Sequence, residues 1–259
     1  MALEPFQVKV ARRGSSIRDR VDHFARHSPA RLALIVFAII ILLITSLLLM
    51  PFAKAGPGSA TFLEALFTAT SAVCVTGLTV VDTASHWTSF GHVVIAIGIQ
   101  IGGLGVMTLA SILGLAVSRH IGLTQRILAA TETKSRLGDV GGLLQAVLIT
   151  SLTVEAILAV VLFPSVMAVE GTFLGALGHS IFMSLSTFNN AGFLITKAGL
   201  TPFVGNWAIS LPIIFGTMAG AIGFPVILNI SRNLRSPKRW SLHTKLTLVV
   251  YAALWASAV

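Results

Sequence analysis

Ser59-Ala-Thr-Phe-Leu-Glu-Ala-Leu-Phe-Thr-Ala-Thr-Ser-Ala-Val73, followed by Cys74-Val-Thr-Gly-Leu-Thr79, is the stretch whose reading decides the fold. It opens on N-capping residues after Pro57-Gly58, continues in good helix formers and stops before Gly77. Fifteen helical residues span roughly 22 Å, short of the ~30 Å hydrocarbon core of a bilayer. In a membrane such a segment dips in and turns back as a re-entrant half-helix. Backbone that leaves the helix at that depth survives only inside protein or facing water, so its carbonyls are free to bind something. The negative end of the half-helix points at the same place and favours a cation just beyond residue 75.

The arrangement occurs twice. Thr61-Phe-Leu-Glu-Ala-Leu66 is echoed by Thr172-Phe-Leu-Gly-Ala-Leu177. Phe67, Ser71 and Gly77 match Phe182, Ser186 and Gly192 at a constant offset of 115. Past the hinge, Gly102-Gly-Leu-Gly105 aligns with Gly220-Ala-Ile-Gly223 at an offset of 118, the connecting loop absorbing the difference. Ordinary glycine turns would account for Gly77 and Gly192 singly but not for their duplication in register. A helix, re-entrant loop and helix present twice is what a pore with pseudo-symmetric carbonyl rings requires.

Composition and charge agree. Hydrophobic residues make up 55% and charged residues 10%, with a mean hydropathy of +0.89, far from soluble globular norms. The net charge of +9 raises nucleic-acid binding, but sixteen of the eighteen basic residues fall in three clusters: Lys9 to Arg31, Arg119 to Arg136 and Arg232 to Lys245. The positive-inside rule makes all three cytoplasmic and puts both re-entrant loops outside, so lipid rather than nucleic acid is the expected partner. The single Cys74 excludes an intrachain disulfide or a cysteine metal cluster.

In chain order, residues 1–31 read as a cytoplasmic basic tail, 32–120 as the first repeat, 121–140 as a cytoplasmic connector, 141–232 as the second repeat, and 233–259 as a linker and the start of a third. The first span is Leu32 to Met50, ending at Pro51. A cleaved export signal is its rival, with Arg12-Arg13 upstream and Ala53-Lys54-Ala55 as a cleavage-like site, but the apolar run is too long. Thr79 to Thr88 reads as a polar external loop, and Phe90 to Val117 as a span whose Gly91, Gly98, Gly102, Gly103 and Gly105 permit close helix approach. Gly102-Gly-Leu-Gly-Val-Met107 is no dinucleotide loop, because no strand precedes it. The connector holds a candidate helix at Thr124 to Ser135, either a docking element or merely solvated. Leu143 to Phe163 spans outward to Pro164 and carries Glu155, a carboxylate either paired with a partner or lining an ion path. The second half-helix, Thr172 to Thr187, leads into Phe188-Asn-Asn-Ala-Gly-Phe193. Leu200 to Asn206 is a loop, Trp207 to Ile230 returns inward with Pro225 as a candidate kink, and Leu246 to Val259 opens another apolar run.

A dehydrated potassium ion needs several oxygen ligands, which backbone carbonyls of symmetric loops can supply. Thr76 and the pair Asn189-Asn190 add side-chain oxygens or brace the loops. Glu64 and Asp82 read as external carboxylates, on a solvated rim or drawing cations to it. His92 and His179 have no carboxylate or second histidine at metal-ligand spacing and read as packing residues. Trp87, Trp207 and Trp240 read as interface anchors. No convergent nucleophile, base or metal ligands suggest an enzyme.

On these residues the chain resembles the Trk/Ktr/HKT superfamily of potassium transporters. Thr70-Ser-Ala-Val-Cys-Val-Thr-Gly-Leu-Thr79 is similar to the family's first filter, Gln100-Ile-Gly-Gly-Leu-Gly105 to its following helix, and Ser186-Thr-Phe-Asn-Asn-Ala-Gly-Phe193 to its second filter. The short N-terminal tail is closest to the bacterial Ktr-type membrane subunit, and the resemblance covers about residues 32 to 245. It implies an all-α membrane protein with four such repeats around one pseudo-fourfold pore, of which two and the start of a third are present here, so a fragment of a longer protein is expected. It also implies filter carbonyls at Val75, Thr76, Gly77 and Leu78 and at Asn190, Ala191, Gly192 and Phe193. Beyond these it implies K+ as transported ion, Na+ as a candidate coupling or regulatory ion, a homodimer, and a cytosolic nucleotide-binding RCK ring as regulator. The expected setting is a bacterial plasma membrane, crossed several times, with a cytoplasmic N-terminus. Ammonium or sodium transport and a non-conducting scaffold are the alternative functions.

Overall fold

The computed structural model describes residues 29–118, 140–196 and 199–258, and all regular structure among them is helical apart from an isolated antiparallel bridge between Lys54 and Trp87. The chain divides into two units, residues 1–39 and 40–259. Of the first, the described part is residues 29–39, an apolar stretch opening α1 (Pro29–Leu48). Residues 1–28 of the basic tail and 121–139 of the connector, with its candidate helix, lie outside the described residues.

The second unit holds the rest. α2 (Phe62–Val73) is followed by the short α3 (Thr83–His86) and the long α4 (Ser89–Ser118). α5 (Val140–Glu170) and α6 (Phe173–Phe188) follow, then α7 (Trp207–Ile222), α8 (Phe224–Arg232) and α9 (Leu242–Ala258). α2 lies against α4. α6 lies against α5, α7 and α4, and α8 against α9. Leu162, Val166, Ala176, Met183, Phe203 and Ile209 bury themselves together where α5, α6 and α7 meet.

Ser89–Thr108 and Gln145–Glu170 are long and apolar enough to cross a membrane, by length and composition. Their outer faces carry large apolar side chains in the open, such as Val160 at 72% exposure, and the same holds for Leu174 on α6 at 82%. Contiguous apolar surface of this kind would cause aggregation in water and is at home in lipid.

Helix boundaries follow local chemistry more closely than hydropathy does. The first short helix begins at Phe62 rather than at Ser59, because Thr61 is the N-cap. The Thr61 hydroxyl accepts from the Glu64 backbone N–H at 3.3 Å, and the Glu64 carboxylate accepts from the Thr61 N–H at 2.8 Å. This capping box satisfies two otherwise orphaned donors. It also holds the Glu64 carboxyl below its ordinary range, the Thr61 backbone N–H contributing most. Glu64 therefore serves the helix start rather than only a charged rim. Thr61→Ala is expected to lower thermal stability of the purified full-length protein by about 1 kcal/mol, measured by melting of tryptophan fluorescence in detergent.

The structure corrects several expected boundaries. α5 runs through Pro164 to Glu170 instead of ending there. The proline removes one helix hydrogen bond, but Leu162 and Val166 on either side are fully buried and hold the backbone in line. The return span breaks into two helices at Gly223, whose φ of 90° few other residues adopt, and Pro225 occupies the first turn of α8, where it costs nothing. The polar stretch after the first hinge contains α3, capped by Asp82, which accepts from the Ala84 N–H. Trp87 is buried and stands edge-on to His86, so it is a packing residue and not an interface anchor. Trp207 is exposed at 72%, whereas the Trp240 indole N–H donates to the Asn233 carbonyl.

Candidate functional site

Past α2 and α6 the backbone makes the same turn twice. Val75 and Asn190 have φ of 56° and 58°, and Gly77 and Gly192 have φ of 72° and 73°. The hydrogen bonds repeat at the same offset of 115. The Thr76 N–H donates to the Ser71 carbonyl at 2.9 Å and the Ala191 N–H to the Ser186 carbonyl at 2.8 Å. Val75 N–H to Ala72 carbonyl and Asn190 N–H to Thr187 carbonyl match likewise, at 3.2 and 3.1 Å. Left-handed φ costs the β-branched Val75 roughly 1–2 kcal/mol, whereas asparagine takes it readily just past a helix end.

The following helix seals each turn with a glycine. A Cβ on Gly102 would fall on the carbonyl oxygen of Val73, the last residue of α2, and one on Gly220 would fall on that of Phe188, the last residue of α6. Tight packing is thus what these glycines provide. Gly91 serves the same end against the Ala53 carbonyl. The two turns also meet: a Cβ on Gly77 would stand 2.5 Å from the Ala191 carbonyl oxygen and 3.1 Å from the Gly192 Cα. Of the eight carbonyl-turn residues, Gly77 is therefore brought beside Ala191 and Gly192.

Side chains brace the turns. The Thr76 hydroxyl donates to the Ser71 hydroxyl at 3.0 Å, and the Ser186 hydroxyl donates to the Phe193 carbonyl at 2.6 Å. The Phe193 carbonyl is thus turned back to its own helix. Asn190 Nδ2 reaches the Phe188 carbonyl at 3.3 Å. Asn189, the C-cap of α6, is buried. Its Nδ2 lies 3.1 Å from Glu155 Oε1, 3.2 Å from Gln100 Oε1 and 3.0 Å from the Leu185 carbonyl. Glu155 Oε1 accepts a further bond from the Ser151 hydroxyl at 3.0 Å. Glu155 stands out in the sequence, and Ser151 lies one turn earlier on its own helix, but Asn189 and Gln100 come from two other helices and have no fixed spacing to it.

One of the two histidines differs from expectation. His179 is buried with Nδ1 2.7 Å from Glu170 Oε1, so a carboxylate does stand beside it, across the turn at Gly171. His92 Nε2 lies 2.8 Å from the Thr83 carbonyl. No group of three or more metal-ligating side chains occurs among the described residues.

Comparison with known proteins bears on what such a pair of turns does. Residues 7–248 match the TrkH family, described as cation transport proteins. The chain is 38% identical over 232 residues to the Ktr system potassium uptake protein B of Bacillus subtilis (strain 168), covering 89% of this chain and 51% of that protein. It is 32% identical over 231 residues to the Ktr system potassium uptake protein D of the same organism, covering 88% and 51%. It is 36% identical over 230 residues to the potassium/sodium uptake protein NtpJ of Enterococcus hirae, again covering 88% and 51%. The chain spans about half the length of these relatives.

Proposed function

The chain belongs to the TrkH family of cation transport proteins, and on that premise we propose that it contributes two of the carbonyl turns through which a potassium-uptake subunit passes its ion. The observation that carries this reading is the matched pair of left-handed turns set face to face at the ends of two short apolar helices. In an extended strand successive carbonyls point to opposite sides. A left-handed residue at every second position, 75 and 77 or 190 and 192, swings them toward one side. The C-terminal ends of α2 and α6 add partial negative charge there. A dehydrated potassium ion would then exchange water for the carbonyls of Val75, Thr76, Gly77 and Leu78 and of Asn190, Ala191, Gly192 and Phe193. Phe193 is the weakest of the eight, since Ser186 already occupies its carbonyl.

Two turns enclose only part of an ion. The relatives are about twice as long, and in this reading further repeats outside the present chain supply the rest of a pseudo-fourfold ring. Residues 32–120 and 141–232 are then two helix, pore-loop and helix units, joined by a cytoplasmic connector at 121–140 and followed by a linker and the start of a third at 233–259. The basic clusters keep the N-terminus and the connector cytoplasmic in a bacterial plasma membrane crossed several times. A homodimer and a nucleotide-binding cytosolic RCK regulator complete the assembly, as the Ktr resemblance implies.

The relative named for potassium and sodium uptake favours sodium as a second cation, either carried or coupled. The complete reading frame, expressed in a bacterium lacking potassium uptake, is expected to import rubidium, with potassium competing strongly, sodium weakly and ammonium least. Rubidium uptake no higher than in the empty strain, or stronger competition by ammonium than by potassium, would overturn the proposal.

A further inference from the structure

A carboxylate inside a span is expensive and persists only with a use. Glu155 is 3% exposed in the middle of α5, and among the described residues no Lys or Arg pairs with it. Its Oε1 is spent on two donors, Ser151 Oγ one helical turn earlier and Asn189 Nδ2 on α6. Gln100 of α4 accepts from the same Asn189 amide. Gly103, also on α4, leaves room for the Asn189 carboxamide, since any Cβ there would fall on Asn189 Oδ1. The Asn189 side chain is thus clamped between α4 and α5, and the next residue is the left-handed Asn190.

The turn itself does not need this clamp. At the equivalent place in the first turn stands Cys74, which is exposed, yet the backbone conformation and hydrogen bonds are the same. What the network adds is a lateral anchor. Gly220 seals the α6 end against α7, and the bonds of Asn189 to Glu155 and Gln100 tie it to α5 and α4 as well.

We propose that Glu155 is a positioning residue for the second carbonyl turn: by accepting from Asn189 it fixes where Asn190 to Phe193 stand, and so sets the affinity and ion preference of the path. The inference rests on the transport reading given above. It is the acceptor oxygen that matters here, and glutamine retains that oxygen.

The test measures rubidium influx by the complete reading frame against rubidium concentration, with and without sodium, normalised to protein in the membrane. Glu155→Gln is expected to stay within about twofold of the parent in KM. Glu155→Met, of similar shape but with no oxygen, is expected to raise KM by roughly tenfold, about the worth of one buried hydrogen bond, and to let sodium compete more strongly. Asn189→Ala, which also loses Gln100 and Leu185, should cost at least as much, and the Glu155→Met/Asn189→Ala pair should be no worse than Asn189→Ala alone, because the Glu155 link is already cut in it. Unchanged KM and sodium competition in Glu155→Met, or additive losses in the pair, would overturn the inference. So would absence of Glu155→Met from the membrane alongside a normal Glu155→Gln, since the role would then be one of folding alone. Rubidium uptake by the parent separates these failures from failure of the transport reading.

Discussion

Gly220→Ala is expected to cost the protein its assembly in the membrane. The added methyl would coincide with the Phe188 carbonyl oxygen and lie 2.8 Å from both the Phe188 carbonyl carbon and Asn190 Nδ2. Two of those three atoms are backbone, so no rotamer change relieves the clash. α7 would have to back away from α6 along a contact that also holds Gly216 against Thr187 and Leu158. Overpacking against movable side chains costs about 1–3 kcal/mol, and against fixed backbone the loss should exceed about 3 kcal/mol. Gly102→Ala meets the Val73 carbonyl in the same way and should fail alike. Gly178→Ala is the control: it sits within α6 with nothing within 4 Å, where alanine is favoured over glycine by up to about 1 kcal/mol. Size-exclusion profiles of fluorescently tagged full-length protein decide the matter. A normal monodisperse peak for Gly220→Ala would show that the turn is not sealed as described.

The second large effect is on transport, and it is unequal between the two turns. Gly77 and Gly192 share nearly the same left-handed φ, so serine at either carries similar strain, roughly 1–2 kcal/mol. Their surroundings differ. A Cβ at 77 runs into the Ala191 carbonyl, one of the proposed ion ligands, whereas a Cβ at 192 finds only the Gly77 Cα at 3.4 Å. Gly77→Ser therefore displaces both turns and Gly192→Ser mainly its own. Rubidium influx at normal membrane abundance should fall by a hundredfold or more, on the order of 3 kcal/mol, for Gly77→Ser, and by about tenfold for Gly192→Ser. Undiminished influx in both variants would remove these turns from the ion path, and the reverse order would mean that they do not face each other as described.

Much of this arrangement was legible because glycine leaves a trace in sequence. The offsets of 115 and 118 reappear as contacts, Gly102 on Val73 and Gly220 on Phe188, since only glycine admits a carbonyl so close. The left-handed turns at Val75 and Asn190 left no such trace. At Val75 the turn is imposed by its surroundings against local preference, while at Asn190 it suits asparagine, a residue just as common in other loops. Pro164 misled for the opposite reason: its local cost is visible in sequence, while the burial of Leu162 and Val166 that outweighs it is not. Trp87 looked like an interfacial residue because it stands where a polar stretch meets an apolar span, and the structure buries it beside the bridge to Lys54. The pairs Glu155 with Asn189 and His179 with Glu170 depend on which helix faces which, and periodicity along one helix carries no information about its neighbour.

Before and after α2 the chain is stitched to itself. The Thr88 N–H donates to the Ala53 carbonyl at 2.9 Å, the Ala55 N–H to the His86 carbonyl at 2.8 Å, and the Thr88 hydroxyl to the Phe52 carbonyl at 2.7 Å, over the bridge between Lys54 and Trp87. The segment from Gly56 to Ser85 is thereby a loop closed at one neck and packed on α4 and the second turn. Closing so long a loop costs entropy only once and grows slowly with length, so insertions at the open Gly56 to Gly58 are cheap while damage at the neck is shared by the whole loop. Amide exchange in this region should then be concerted: α2, the first turn and α3 open together when the neck parts, and the protection of any one of them reports on the whole loop.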